Sequence, residues 1–198
     1  MRIALLAAFI LAACQPASEE VAAAPTAEDL GQDDPNAPME PAPDPTPVTF
    51  EPLSKTAEAF TGAISLTAQP RPGPNATPAM KLSSATGLVY ETSLLPGGAE
   101  QASAIDWQAI FGAEVVSAAN PPPGAPSIDF HVVQRETVPT GAPNGGFCGK
   151  DSTFGIAMAS GLNGAAGPMM SIAAFKGDVW PPKDETALCG TFNYAPPG

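Results

Sequence analysis

From residue 55 onward the chain is dominated by short stretches in which apolar and polar positions alternate. Ile64 and Leu66 alternate with Ala63, Ser65 and Thr67, and Met80 and Leu82 alternate with Lys81 and Ser83. Residues 87–91, 114–116 and 127–138 repeat the pattern between clusters of Gly, Pro or Asn, so each is expected to be a strand with one buried face. Residues 152–160 and 169–175 read as two further strands joined by the glycine-rich stretch 161–167, and a last strand is expected over 188–194. One segment changes period. Ser103 to Asp106 resembles a capping box, and Trp107, Ile110 and Phe111 recur at helical spacing before Gly112, which predicts a short helix against one side of the sheet. The expected fold is mainly β with some α+β character: a small antiparallel sheet, sandwich or partly open barrel, with one short helix, in a single domain over residues 55–198.

The N-terminus follows a different rule. After Met1 and Arg2, eleven apolar residues run from Ile3 to Ala13. That is too short to cross a bilayer, which takes about 20 residues, but it fits the apolar region of a secretory signal. Leu11-Ala12-Ala13-Cys14 resembles the lipobox of bacterial lipoproteins. The resemblance implies that residues 1–13 are a signal peptide, that a diacylglycerol is placed on the Cys14 sulfur, and that cleavage makes this cysteine the first residue, commonly acylated on its amine as well. Two or three acyl chains anchor stably where one binds only marginally. The alternative is an ordinary signal peptide in which Ala12-Ala13-Cys14 stands in for an A-x-A site. In the lipoproteins it resembles, an Asp after the cysteine favours inner-membrane retention, so with Gln15 there the resemblance points to the outer membrane. The implied address is the periplasmic side of the bacterial envelope, attached through lipid.

Between Gln15 and Ser54 the composition shifts to nine Pro and nine Asp or Glu among forty residues, with no Lys or Arg. Such a segment cannot bury enough apolar surface to offset ordering, and reads as a disordered, extended tether from Cys14 to residue 54. Its charges occur in dispersed pairs such as Glu19-Glu20, as on a solvated spacer, rather than as a block for a basic partner. Setting it aside leaves 11 acids and 7 bases from Lys55 onward, the bases scattered. That excludes the clustered basic footprint that nucleic acid requires.

Candidate chemistry is sparse. With Cys14 given to lipid, Cys148 and Cys189 are the one pair left to form a disulfide in an oxidising compartment. In a plain meander of 152–160, 169–175 and 188–194 the two cysteines would stand two strands apart, roughly 9 to 10 Å, beyond the about 7 Å a disulfide spans. Either the last strand lies beside 152–160, or the loop Gly145-Gly146-Phe147-Cys148-Gly149 swings under the sheet, which its three glycines favour. Ser127, Asp129 and His131 are the residue types of a hydrolase triad, but on one strand Ser127 and His131 are separated by roughly 13 Å, out of reach of each other. Ile128, Phe130 and Val132 occupy the alternate positions, as on a strand whose polar face is solvated. A single histidine and no metal-binding loop or helix motif predict no metal site, and no phosphate loop or cofactor motif occurs.

The loop Gly177 to Pro182 holds Trp180, a candidate anchor for a partner or else a ring folded back over the sheet edge. Trp107 reads as core. The pattern from Gly146-Phe147-Cys148-Gly149 to Cys189-Gly190-Thr191-Phe192 resembles the C-terminal part of small bacterial envelope lipoproteins, which implies no activity. The expectation is a non-catalytic binding or interaction module for an envelope protein or glycan. The alternatives are an envelope hydrolase centred on His131, or an inhibitor of an envelope-acting hydrolase.

Overall fold

The computed structural model describes residues 44–198 apart from 71, 72, 74, 103, 113–124, 143, 165 and 166. Eight antiparallel strands follow one another around a closed barrel in chain order: β1 (Val48–Pro52), β2 (Ile64–Gln69), β3 (Ala79–Ser84), β4 (Val89–Leu94), β5 (Ser127–Thr137), β6 (Gly155–Gly164), β7 (Gly167–Phe175) and β8 (Leu188–Ala195). The fold is thus mainly β, as the alternation implies, and the sheet closes. Closure removes the unpaired edges of an open sheet. The expected strand over 114–116 and the Ser103 end of the capping box lie outside the described residues.

β1 was expected to belong to the tether. Val48 and Phe50 instead pair with Leu66 and Ile64 on β2, while Glu51 and Pro52 pair with Ala195 and Tyr194 on β8. The compact unit accordingly begins at Pro43 rather than residue 55. Pro45, Pro47 and Pro52 flank or end the strand, positions where a missing N–H breaks no more than an end of the ladder. Among the described residues three short α-helices interrupt the meander. α1 (Lys55–Phe60) links β1 to β2, with Ser54 as its N-cap. α2 (Gly98–Gln101) and α3 (Trp107–Phe111) lie in the long β4–β5 connection, and the α3 cap is Asp106, whose carboxylate accepts from Ala109 N.

Two apolar clusters result, one inside the wall and one outside it. The inner cluster includes Ile64, Leu82, Tyr90, Phe147, Ile156, Met158, Met170, Ile172, Phe192 and Tyr194. The outer one joins Ile128, Phe130, Ala157, Ala173 and Phe175 on β5–β7 to Trp107 and Phe111 of α3. Trp107 is therefore core, as expected, its Nε1 donating to Ala102 O and its ring edge-on to Phe130 at 5.3 Å. This second cluster reverses the expected orientation of β5. Ile128 and Phe130 face outward and are buried by the β4–β5 connection, so Ser127, Asp129 and His131 occupy the inner face. His131 is 8% exposed, not solvated.

Candidate functional site

One end of the barrel is sealed, and the seal is built from the loop around Cys148. Phe147 inserts among the inner strands, stacked on Tyr90 with centroids 4.7 Å apart and against Phe192 at 4.6 Å. Its N–H donates to the Tyr90 hydroxyl at 2.7 Å. Beside it the Glu136 carboxylate accepts from the N–H and hydroxyl of Thr153, each at 2.9 Å. A side chain at Gly146 would collide with that carboxylate, which explains the glycine. Burial holds the Tyr90 phenol well above its ordinary pKa, and the nearby Glu136 carboxylate adds to the shift. α1 completes the closure, with the Thr61 and Tyr194 hydroxyls 2.7 Å apart.

Cys148 and Cys189 form the expected disulfide, with Cα atoms 5.0 Å apart. The strands β6, β7 and β8 are a plain meander, so of the two routes foreseen for this bond, the loop passing under the sheet is the one taken. A cleft of about 310 Å³ beside the bond is lined by Phe60, Phe147, Lys176 and Phe192. Lys176 is already engaged by Asp151 at 2.9 Å.

At the other end the described residues outline a cup. Val48 belongs to the inner face through its pairing with Leu66, yet it is 56% exposed. Ala68, Asp129 and Ser160 share that face near the strand ends and are exposed. Beneath this rim lies a layer of Leu66, Met80, Thr92, His131, Met158 and Met170, half-buried to buried. Below it come Ile64, Tyr90, Ile156, Ile172 and Phe192, and then the Phe147 plug. Barrels of eight strands enclose just enough space for side chains or one small ligand, and here the described inner-face residues left exposed are those of this upper rim.

His131 is the one titratable group on the cup floor among the described residues. Thr92 Oγ1 donates to Met80 O at 3.2 Å and lies 3.3 Å from His131 Nδ1. A hydroxyl has one proton, so Nδ1–H donates to the Thr92 oxygen and the neutral ring keeps its lone pair on Nε2. Burial lowers the His131 pKa, and Asp129 opposes this only in part. The arrangement does not form a triad. Thr92 is 2% exposed with its proton committed to Met80, and Ser127 bonds to Ser160 at 3.1 Å instead of approaching the imidazole.

Trp180 folds back on the barrel. Its ring packs on the outer wall, 5.4 Å from Phe175 and 6.1 Å from Phe130, over Gly155, where any side chain would collide with the indole. It is half-buried, and its Nε1 is a buried donor without a partner. The structure does not bring Trp180 near the cup, and the cup itself was not legible in the sequence. The signal for it was present in β5, where polar residues alternate with apolar ones, but that pattern does not say which face is inside. Cys14 lies outside the described residues. No described helix is long and apolar enough to cross a membrane.

Comparison with models of known protein families, with curated proteins and with solved structures finds no match. The functional reading therefore rests on the chain's own residues.

Proposed function

We propose that this chain is a bacterial envelope lipoprotein, anchored through Cys14 on the periplasmic side, whose barrel is a non-catalytic binding module with the cup as its binding surface. The observation that carries this reading is the asymmetry of the barrel: a plugged lower end, and an upper end where inner-face residues as apolar as Val48 are left 56% exposed. Concave surfaces that combine apolar walls with a few fixed polar groups are where proteins bind guests. The lack of a free nucleophile beside His131 among the described residues favours binding over hydrolysis.

The partner class is an envelope protein or glycan. The test places a photoreactive amino acid at Val48 or Asp129 in the cup, and at Lys81 or Arg135 on the outer wall, in the native cell. Cup positions are expected to yield a discrete adduct that outer positions do not. Equal labelling from both sets, or none from the cup, overturns the reading. Membrane fractionation of Cys14→Ser against the parent checks the anchor separately, with release into the soluble fraction expected.

A further inference from the structure

The cup floor carries three thioethers and one imidazole around one level of the barrel. Met80 stands on β3, His131 on β5, Met158 on β6 and Met170 on β7, all on the inner face. The registers link them. Thr92, opposite Met80, is bonded to His131, while Met158 lies opposite Asp129 and so diagonal to His131. Met170 is two residues from Ile172, the partner of Met158. Opposite Cβ atoms are about 5 Å apart and diagonal neighbours about 7 Å, distances that a side chain with three rotatable bonds readily spans.

We infer that His131 Nε2 and the thioethers of Met80, Met158 and Met170 bind a soft monovalent metal ion, Cu(I). This rests on the reading that the cup is the binding surface. Thioethers select Cu(I) among biological metals, and imidazole suits it as well. All four donors are neutral, which matches a monovalent ion. A divalent ion desolvated there would have only the rim carboxylate of Asp129 to offset its charge. Among the described residues no group of three or more His, Cys, Asp or Glu could hold a metal, so hard and borderline ions have no competing cage. Thr92 supplies the outer partner that orients a ligating imidazole by its other nitrogen. The sequence alone predicts no metal site because the thioethers are far apart in the chain and only the closed barrel gathers them.

The test uses the full chain as an exported Cys14→Ser protein, its methionine methyl groups labelled with carbon-13, with Ag(I) as a redox-inert stand-in for Cu(I). One equivalent of Ag(I) is expected to move the methyl signals of Met80, Met158 and Met170 and to leave Met39 and Met169 in place. Met158→Leu with Met170→Leu, a change that keeps volume, is expected to weaken binding at least about tenfold, and Thr92→Val also by about tenfold. Zn(II) is expected to move none of them. Unmoved signals, or unchanged affinity in the folded double variant, overturn the inference. If Ag(I) does not bind while cup cross-links still capture a partner, the copper assignment falls and the binding module stands. If neither occurs, both fall.

Discussion

The N–H of Phe147 donates to the hydroxyl of Tyr90 over 2.7 Å while the two rings stack 4.7 Å apart, so one loop residue both plugs the barrel and is fixed by the strand it plugs. Phe147→Ala is expected to cost about 3–5 kcal/mol, the range for emptying a buried aromatic site. Tyr90→Phe keeps the packing but strands a buried N–H, at about 1–3 kcal/mol. Urea unfolding monitored by circular dichroism measures both, and a Tyr90→Phe cost larger than that of Phe147→Ala would contradict this assignment of roles.

The disulfide holds that plug from the other side. It closes 41 residues, for which chain entropy gives about 4 kcal/mol. Replacing both Cys148 and Cys189 with Ala should lower stability by about that amount and loosen Phe147, visible as faster amide exchange at residues 146–149. Exchange unchanged in the double variant would show that Tyr90 and Glu136 hold the loop unaided.

The position of β1 makes a truncation informative. A chain starting at Pro43 retains all eight strands and should melt cooperatively. A chain starting at Lys55 lacks β1, leaves the facing edges of β2 and β8 unpaired, and is expected to aggregate or lose its cooperative melt. Equal melting of the two would mean that β1 contributes little to closure.

His131 sets a pH dependence with a definite sign. Burial lowers its pKa in the folded chain below the ordinary 6.5, so between those two values the unfolded chain holds more protons than the folded one. Stability from this group is fully present above the ordinary value and is lost as pH falls toward the lowered one. The melting temperature of the parent should therefore drop more than that of His131→Gln between neutral and mildly acidic pH. Parallel curves would place His131 in solvent.

Gly155 and Trp180 offer a last check. Because the indole lies where a Cβ would go, Gly155→Ala should displace the ring, with a red shift of Trp emission best read in a Trp107→Phe background. An unchanged spectrum would mean that Trp180 does not pack there.

Much of the barrel was legible because alternation is local. β2, β3, β5, β7 and β8 were each written in apolar residues two apart, and α3 in Trp107, Ile110 and Phe111. β1 was not, because five residues among prolines carry too little pattern and their partners, on β2 and β8, are assigned only on closure. The candidate site was less legible still. β5 shows that its residues divide into two faces, but burial of both faces in different clusters hid which one lines the barrel.

The sequence by itself determined most of the strands but not β1, the short helix α3, the pair Cys148 and Cys189, and the lipobox resemblance at Cys14, since each depends on neighbouring residues or on counting. The tertiary structure alone decided closure, the Phe147 plug, the burial of Trp180 against Gly155, and the gathering of His131 with Met80, Met158 and Met170. Those relationships join positions tens of residues apart. They exist only once the eight strands meet in register and a long connection covers the outer wall.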